Sequence, residues 1–472
     1  MANRKIDQSS RWPARWPVVG FAVVMALAAS RLWLLPLHYS PDSNEGWNAF
    51  QALRAMGAGP LYPPSDALTG NNYPPLSFLI VGSIGRLMGD QVIAGRIVAL
   101  GSVVGIAGLI AVVLRRLGGR RERAIGGALL FLLLNATLLR PYLALDDPQW
   151  LGHLLMTAAL PLLIPARAGE APGAGRVAGA ALLMIAGGLV KQNLVAWPVA
   201  VTLWLALHHR RALTVWLATA AVAGGAALIA CRMAYGPAFL LDTLGMAREY
   251  SLARMAQRSL GAAAVIVPLT WWAWPLARMR KGDGRIDLIL IAILLAVPLG
   301  IVQRSGAGVD INAHFEAFIA LSIAAPLVIE RSRRDRIVGA IFLVGLGVAG
   351  AMLEAKEVRQ LPRRRAAWDA MEQRIAATPG PVACEVQALC YWAGKDFELD
   401  YFLYSQRALK TGHAPSLDRA LAERRWTGVM IGPNGTHNAV ERARDPVLTR
   451  VTRAMRPIFI DSDGGRLMVP RG

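Results

Sequence analysis

The segment Ser40-Pro-Asp-Ser-Asn-Glu-Gly-Trp47 carries two carboxylates, Asp42 and Glu45, in a loop that follows the first long apolar stretch. Three residues apart, they share one face if the segment is helical, and a carboxylate so placed is suited to taking a proton from a hydroxyl nucleophile. The same residues also read as a capping box, with Asp42 or Ser43 as cap and Glu45 behind it. Both readings can hold, since a cap can still present a carboxylate. A second acid pair, Asp146-Asp147, precedes Pro148. Adjacent carboxylates at an apolar boundary repel and lose hydration unless they serve an interaction; the plain alternative is a solvated turn. Lys191-Gln192-Asn193 interrupts apolar sequence between Leu189 and Leu194, so Lys191 either snorkels to an interface or joins Asn193 in receiving a phosphate. Asp310, Asn312, His314 and Glu316 alternate at the start of another apolar stretch. An extended segment aims all four together, whereas a helix pairs Asn312 with Glu316 and Asp310 with His314. Arg248, Arg254 and Arg258 suit a phosphate or anionic headgroups. Asn71-Asn72-Tyr73 supplies amides and a ring for sugar or headgroup contact.

The elements that must position these groups are apolar. Of 472 residues, 54% are hydrophobic and only 17% charged, and stretches such as Val18–Leu35, Val92–Leu114 and Ala124–Leu139 are long enough, or nearly so, to cross a ~30 Å hydrocarbon layer. This predicts a polytopic α-helical membrane protein. The first apolar stretch is too long for a signal peptide and lacks a small-residue cleavage pattern, so it reads as a retained anchor. The formal charge of +20 is concentrated in clusters between apolar stretches: Arg4/Lys5/Arg11/Arg15, Arg115–Arg123, Arg167/Arg176, Arg210/Arg211, Arg278–Arg285 and Arg331–Arg336. Short basic loops belong on the cytoplasmic side, so the charge is an orientation signal and nucleic acid is not an expected partner. All six clusters fall on one side only if Tyr73–Met88, apolar for about fourteen residues after its prolines, lies at the interface rather than spanning.

The expected spans are then 17–37, 91–114, 124–141, 147–165, 177–190, 194–209, 212–232, 259–278, 286–303, 312–329 and 337–353, about eleven in all. Residues 1–16 are cytoplasmic, 17–353 form the membrane body with a first outer loop at 38–90, and 354–472 lie outside. The outer loops hold Asp42, Asp147, Lys191 and Asp310 on one side, and the boundaries near 141–147 and 190–194 are tight enough for broken helices. Strand-like runs at 381–384 and 428–431 alternate with helical runs at 366–377 and 416–425, a small extracytoplasmic α/β domain. The three cysteines have no metal spacing. Cys231 suits packing in an apolar helix; Cys384 and Cys390 either form a disulfide or remain two buried thiols.

The order of motifs carries a resemblance. An acidic first outer loop, then Tyr73-Pro-Pro-Leu76, Ala94-Gly-Arg-Ile-Val98, the acid pair after the third span and Lys191 together resemble the integral membrane glycosyltransferases of the GT-C class. The likeness is nearest to the bacterial family-39-type branch, related to protein O-mannosyltransferases and the lipid A aminoarabinose transferase, and covers about residues 40–320. It implies a multi-pass protein of the bacterial inner membrane that transfers a hexose or pentose from a polyprenyl-phosphate donor to a glycan, lipid or protein acceptor. Asp42 or Glu45 would be similar to the family's base. Asp147 matches its second acidic motif, and Lys191 a lysine near the lipid phosphate. Tyr73, Asp146, Asn193, Arg248, Asp310, Asn312, His314 and Glu316 complete the expected substrate contacts. Some relatives use a divalent ion, so magnesium or manganese is compatible, although the sequence shows no closed ligand set. The alternative is a transporter or flippase of lipid-linked sugars, which predicts a polar path across the bilayer and inverted repeats; neither is visible.

Overall fold

A computed structural model describes residues 15–279, 283–328, 333–433 and 444–471. Arg4, Lys5, Arg11, Arg280, Lys281 and Arg331 of the basic clusters lie outside the described residues. The body opens with α1 (Trp16–Leu34), followed by α2 (Asn44–Ala55), α3 (Leu76–Met88) and α4 (Gln91–Arg116). Gly89, left-handed at φ 81°, ends α3, and the Asp90 carboxylate accepts from the Ile93 N–H to begin α4, so two adjacent residues make the corner. Next come α5 (Arg121–Ala136), α6 (Gln149–Leu163), α7 (Ala174–Val190), α8 (Ala196–His208), α9 (Arg210–Tyr235) and α10 (Pro237–Leu244). The body closes with α11 (Leu252–Ala273), α12 (Leu276–Met279), α13 (Gly284–Gln303) and α14 (Phe315–Val328). Every residue of α14 is buried, as expected for a helix apolar all round, and α4, α5, α11 and α13 pack against it.

Among the described residues, six helices are long and apolar enough to cross a membrane: α1, α4, α9, α13, the segment Ile311–Val328 and α15 (Arg333–Ala377). All but the buried Ile311–Val328 segment expose apolar side chains, among them Phe21, Val104, Val222, Leu228, Leu294 and Ile341, an apolar girdle that only lipid accommodates. The chain is a polytopic helical membrane protein. Length and composition alone mark six helices as crossing and leave the expected count of eleven open. The expected spans over 147–165, 177–190 and 194–209 fall on α6, α7 and α8, with only 15, 17 and 13 residues. At 1.5 Å per residue α8 rises about 20 Å, short of a ~30 Å layer. Helix α3, also 13 residues, is likewise too short to span.

The loops separate into two ends. Arg285 donates to the carbonyls of Arg116, Pro165 and Ala166, gathering three arginine-rich loops. The acid-bearing loops meet at the other end of the same helices. There Arg140, 3% exposed, bonds Glu354 and Glu357 of α15 and Ser30 of α1, which fixes the turn leading to Asp146-Asp147.

Helix α15 runs 45 residues, straight through the expected boundary at 354; the last expected span and the helix expected at 366–377 are one element. Beyond it, β1 (Val382–Cys384), β2 (Gly428–Ile431), β3 (Met455–Ile460) and β4 (Arg466–Pro470) form a sheet of order β1-β2-β4-β3. The β1–β2 pair is parallel and the others antiparallel. Around it lie α16 (Gln387–Trp392), α17 (Tyr401–Thr411), α18 (Pro415–Ala422) and α19 (Pro446–Ala454). Cys384 and Cys390 are disulfide-bonded, their Cα atoms 5.9 Å apart. Helix α16 packs so closely on α2 that a Cβ at Gly46 would lie 1.9 Å from the Ala388 nitrogen.

Candidate active site

The loop before α2 is shaped by its own side chains. The Ser40 hydroxyl donates to the Asp42 carbonyl at 2.5 Å, and Asp42 Oδ1 accepts from the Asn44 N–H at 2.8 Å. Asp42 thus closes a local turn ahead of Ser43, the N-cap of α2, whose own side chain makes no cap bond, and its half-buried carboxylate also borders a cavity. Glu45 does neither. It is fully buried, with Oε1 and Oε2 each 2.7 Å from the Arg96 guanidinium and Oε1 also accepting from the Asp146 N–H at 3.0 Å. Arg96 spends its remaining donors on the carbonyls of Leu34, Leu35, Leu37 and Tyr39. The expectation that Asp42 and Glu45 share one helical face is corrected: α2 begins at Asn44, which puts Glu45 against α4 and leaves Asp42 ahead of the helix.

The cavity, about 760 Å³, collects residues from every loop at this end. Asp42, Tyr73, Asp147, Lys191, Asn193, Arg248, Asp310 and Asn312 all border it, as do Gln192 and Arg258. Lys191 terminates α7 and is held in place from three sides. Its Nζ donates to Gln149 Oε1 at 2.8 Å, stands 3.9 Å from Asp147 Oδ1, and lies 4.6 Å over the Tyr73 ring. Burial alone would lower its pKa, but Asp147 and Tyr73 outweigh that and raise it, so the ammonium stays charged. Arg248 makes no ion pair among the described residues, which leaves its charge available to a ligand. Burial pushes the Asp42 carboxyl up to about 6; the Asn44 N–H opposes the shift, while Glu45, Asp147 and Asp310 add to it. A carboxylate poised there is ionised at neutral pH yet basic enough to accept a proton.

Three expected contacts lie elsewhere. Asp146 points away from the large cavity against α4, where a Cβ at Gly95 would meet its Oδ1 at 1.9 Å. Burial and the nearby Glu45 push its pKa well up. Glu316 accepts from the backbone N–H groups of Ala196 and Trp197 at 3.3 and 3.1 Å, holding the first turn of α8 from another helix. His314 is fully buried against Gly300, with neither ring nitrogen bonded among the described residues. The segment is a 3₁₀ turn, Ile311–His314, running into α14, so the alternation of an extended strand is lost and only Asp310 and Asn312 reach the cavity. Arg254 binds Glu249 and the Ser305 carbonyl.

No family model matches the chain, and no curated protein matches it by sequence. Solved structures do match. ArnT from Cupriavidus metallidurans bound to undecaprenyl phosphate superposes with a TM-score of 0.65 at 13% identity, covering 97% of this chain and 98% of that one. Its apo form gives 0.63 at 15% identity, covering 96% and 98%. The Archaeoglobus fulgidus oligosaccharyltransferase tethered with an acceptor peptide gives 0.52 at 9% identity, covering 97% of this chain and 74% of that one. The chain has the GT-C fold.

Several residues of this GT-C cavity escape a local reading. Arg96 and Gln149 set the positions of Glu45 and Lys191, but a single arginine or glutamine in an apolar run carries no marker of its partner. Gln192, whose amide donates to the carbonyls of Asn72 and Thr243 at 2.8 Å each, was visible in the Lys-Gln-Asn break. The far wall comes from residues 385–403, with Glu385, Gln387 and Asp400 bordering the space; nothing in their sequence tells that this region folds back over the body. Asp400 accepts from Trp47 Nε1 at 2.7 Å and from the Leu403 N–H at 2.9 Å, and burial pushes its pKa up to about 6. No three His, Cys, Asp or Glu side chains converge among the described residues, Asp147 is turned to the Gln149 N–H and Lys191, and Asp310 lies 3.6 Å from Arg304.

Proposed function

We propose that the chain is a membrane glycosyltransferase that moves a sugar from a polyprenyl phosphate to an acceptor hydroxyl at the outer face of the bacterial inner membrane. One observation carries this reading: a single cavity at one end of a lipid-immersed body holds a half-open carboxylate, Asp42, together with Lys191, Arg248 and Arg258. The undecaprenyl phosphate bound by ArnT, whose fold this chain shares, supports a lipid phosphate as the group those cations receive.

In the reaction the acceptor oxygen attacks the anomeric carbon on the face opposite the phosphate. The carbon–oxygen bond to phosphate breaks, its electron pair leaves on the phosphate, and the hydroxyl proton passes to Asp42; the anomeric centre is inverted. Lys191 and Arg248 stabilise the departing dianion. Asn193, whose amide donates to Gln303 at 3.0 Å, and Asp147, Asp310 and Asn312 orient the sugar, a hexose or pentose. Glu45, Asp146, His314 and Glu316 act only as the frame. Residues 354–472 cover the site from the periplasmic side.

The test is incubation of purified protein with a panel of polyprenyl-phosphate sugars, with released lipid and product identified by mass spectrometry. Asp42→Asn lowers transfer by about 10²–10⁴-fold. A folded Asp42→Asn variant that keeps more than about a tenth of the parent rate removes Asp42 from the role of base.

A further inference from the structure

Behind Asp147 lies a second, much smaller cavity. Asp147 borders both spaces, whereas Asp146 borders only the small one, of about 10 Å³, together with Asn48 and Ser77; the rest of its lining is apolar. A space of that size admits one water. Asp146, Asn48 and Ser77 are 3%, 3% and 1% exposed. Among the described residues, Asp146 Oδ2, Asn48 Oδ1 and Ser77 Oγ have no hydrogen-bond partner. Three buried polar atoms on one small space are costly unless donors reach them. The rest of the cluster is tied down. Asn48 Nδ2 donates to the Asp146 carbonyl at 2.7 Å, and the Asp146 N–H donates to Glu45 Oε1 at 3.0 Å. The charged groups facing Asp146 are Glu45 of α2, Asp90 and Arg96 of α4, and the neighbouring Asp147, with the Tyr391 phenol of α16 close by. Arg96, the cation among them, already spends its guanidinium on Glu45 and on four backbone carbonyls. An ionised Asp146 is therefore a buried anion among carboxylates, with no donor for Oδ2. A protonated Asp146 carries its own donor, and Asn48 Oδ1 on the same cavity is an acceptor in need of one.

We propose that Asp146 is a neutral acid which, with one water bound in the small cavity, completes the hydrogen bonds of Asn48 and Ser77 and so positions Asp147. The proton and the water supply the donors that the three orphaned atoms lack. Asn48 is then held at both ends of its amide and clamps the Asp146-Asp147 peptide to α2, while Ser77 fastens the same point to α3. On the other side of that peptide, Asp147 Oδ1 accepts from the Gln149 N–H at 2.8 Å and stands 3.9 Å from Lys191 Nζ, so a shift of the peptide displaces the carboxylate from its ammonium partner. Asp146 acts through Asp147 and touches no substrate. The effect on turnover rests on the glycosyltransferase reading; the proton and the water do not. Gly95 belongs to the same device, because a Cβ there would lie 1.9 Å from Asp146 Oδ1.

The experiment is infrared spectroscopy of the full chain in detergent, with and without isotope labelling of the aspartate carboxyl carbons. At about pH 8 Asp42 and Asp400, whose carboxyls sit at about 6, are ionised. The parent then still shows a label-sensitive carbonyl stretch of a protonated acid, and Asp146→Asn lacks it. Ser77→Ala shifts this band without removing it. A parent with no label-sensitive acid band at that pH overturns the proposal, whether or not any variant folds, and so does a band that survives in Asp146→Asn. Sugar transfer on the same samples reads the positioning role. Asp146→Asn, which keeps a donor and an acceptor in the same shape, retains kcat within about threefold, whereas Asp146→Leu and Gly95→Ala lose at least about tenfold. Equal kcat for the folded Asn and Leu variants overturns that role. A parent that shows the acid band yet transfers sugar from no polyprenyl-phosphate donor leaves the protonated Asp146 standing and sinks the glycosyltransferase reading instead.

Discussion

Replacing Arg96 by Met tests the idea that the loop carrying Asp42, the proposed base, is held from behind. The guanidinium, 1% exposed, is the main partner of the fully buried Glu45 and the donor to the carbonyls of Leu34, Leu35, Leu37 and Tyr39. Met fills much of the volume but leaves Glu45 with the Asp146 N–H alone and four carbonyls without this donor. Breaking a buried pair by removing one partner costs about 3–5 kcal/mol, so Arg96→Met should lie at that level. Glu45→Gln should cost less, about 1–3 kcal/mol, because the amide oxygen still accepts a bond from the guanidinium. With Glu45 already neutral, removing Arg96 strands no charge, and the double variant should be more stable than the sum of the singles by about 1–3 kcal/mol. Because Tyr39 and Ser40 lead directly into Asp42, Arg96→Met should also lower kcat more than it raises KM for the donor. The assay is a double-mutant cycle on reversible unfolding in detergent, with sugar transfer measured on the same samples. Single variants whose effects add to within about 0.5 kcal/mol would refute the reasoning, as would an Arg96→Met protein with parental turnover.

Further expectations concern single groups. With Asp42 held near 6, its basic form is lost as pH falls, so kcat/KM should drop about tenfold per pH unit below about 6; a flat profile between pH 5 and 7.5 would count against it. The same raised pKa makes ionised Asp42 unfavourable in the fold, so its contribution to stability is present below about pH 4 and lost as pH rises through 6. Asp42→Asn should therefore raise the melting temperature at pH 7 but not at pH 4, as differential scanning would show. Lys191→Ala should raise donor KM at least tenfold, since it removes a buried cation from the phosphate, and kinetics with a saturating acceptor would read this. Reporter fusions after residue 120 and after residue 471 should report opposite sides of the membrane.

What the sequence made legible was the periodic and the local. Apolar runs located the long helices, and the basic loops separated the two ends that Arg285 and Asp42 now mark. Lys191 stood out because a charge in an apolar run is expensive. The strands β3 and β4 were hidden because Met455–Ile460 and Arg466–Pro470 interleave arginine and proline with their apolar residues, which masks the period-two signal. Spacing could not distinguish Asp42 from Glu45, because the difference lies in Arg96, 51 residues beyond Glu45. Glu316 misled for a similar reason: the backbone it holds belongs to α8, and a carboxylate at a helix start in trans looks identical to one aimed at a substrate.

Gly46 closes the account of the opening motif. In Asp42-Ser-Asn-Glu-Gly-Trp47 it sits between a frame residue and a cavity residue and has the air of a local turn glycine. Its backbone is helical, and the space a methyl group would need is taken by the start of α16, more than three hundred residues later in the chain. The absence of a side chain there is an imprint of the C-terminal region on the loop that holds Asp42. Transplanting the motif into another membrane scaffold would thus carry over a gap without the helix that fills it. Redesigning residues 385–392 would in turn reshape the surroundings of Asp42 without altering any residue near it in sequence.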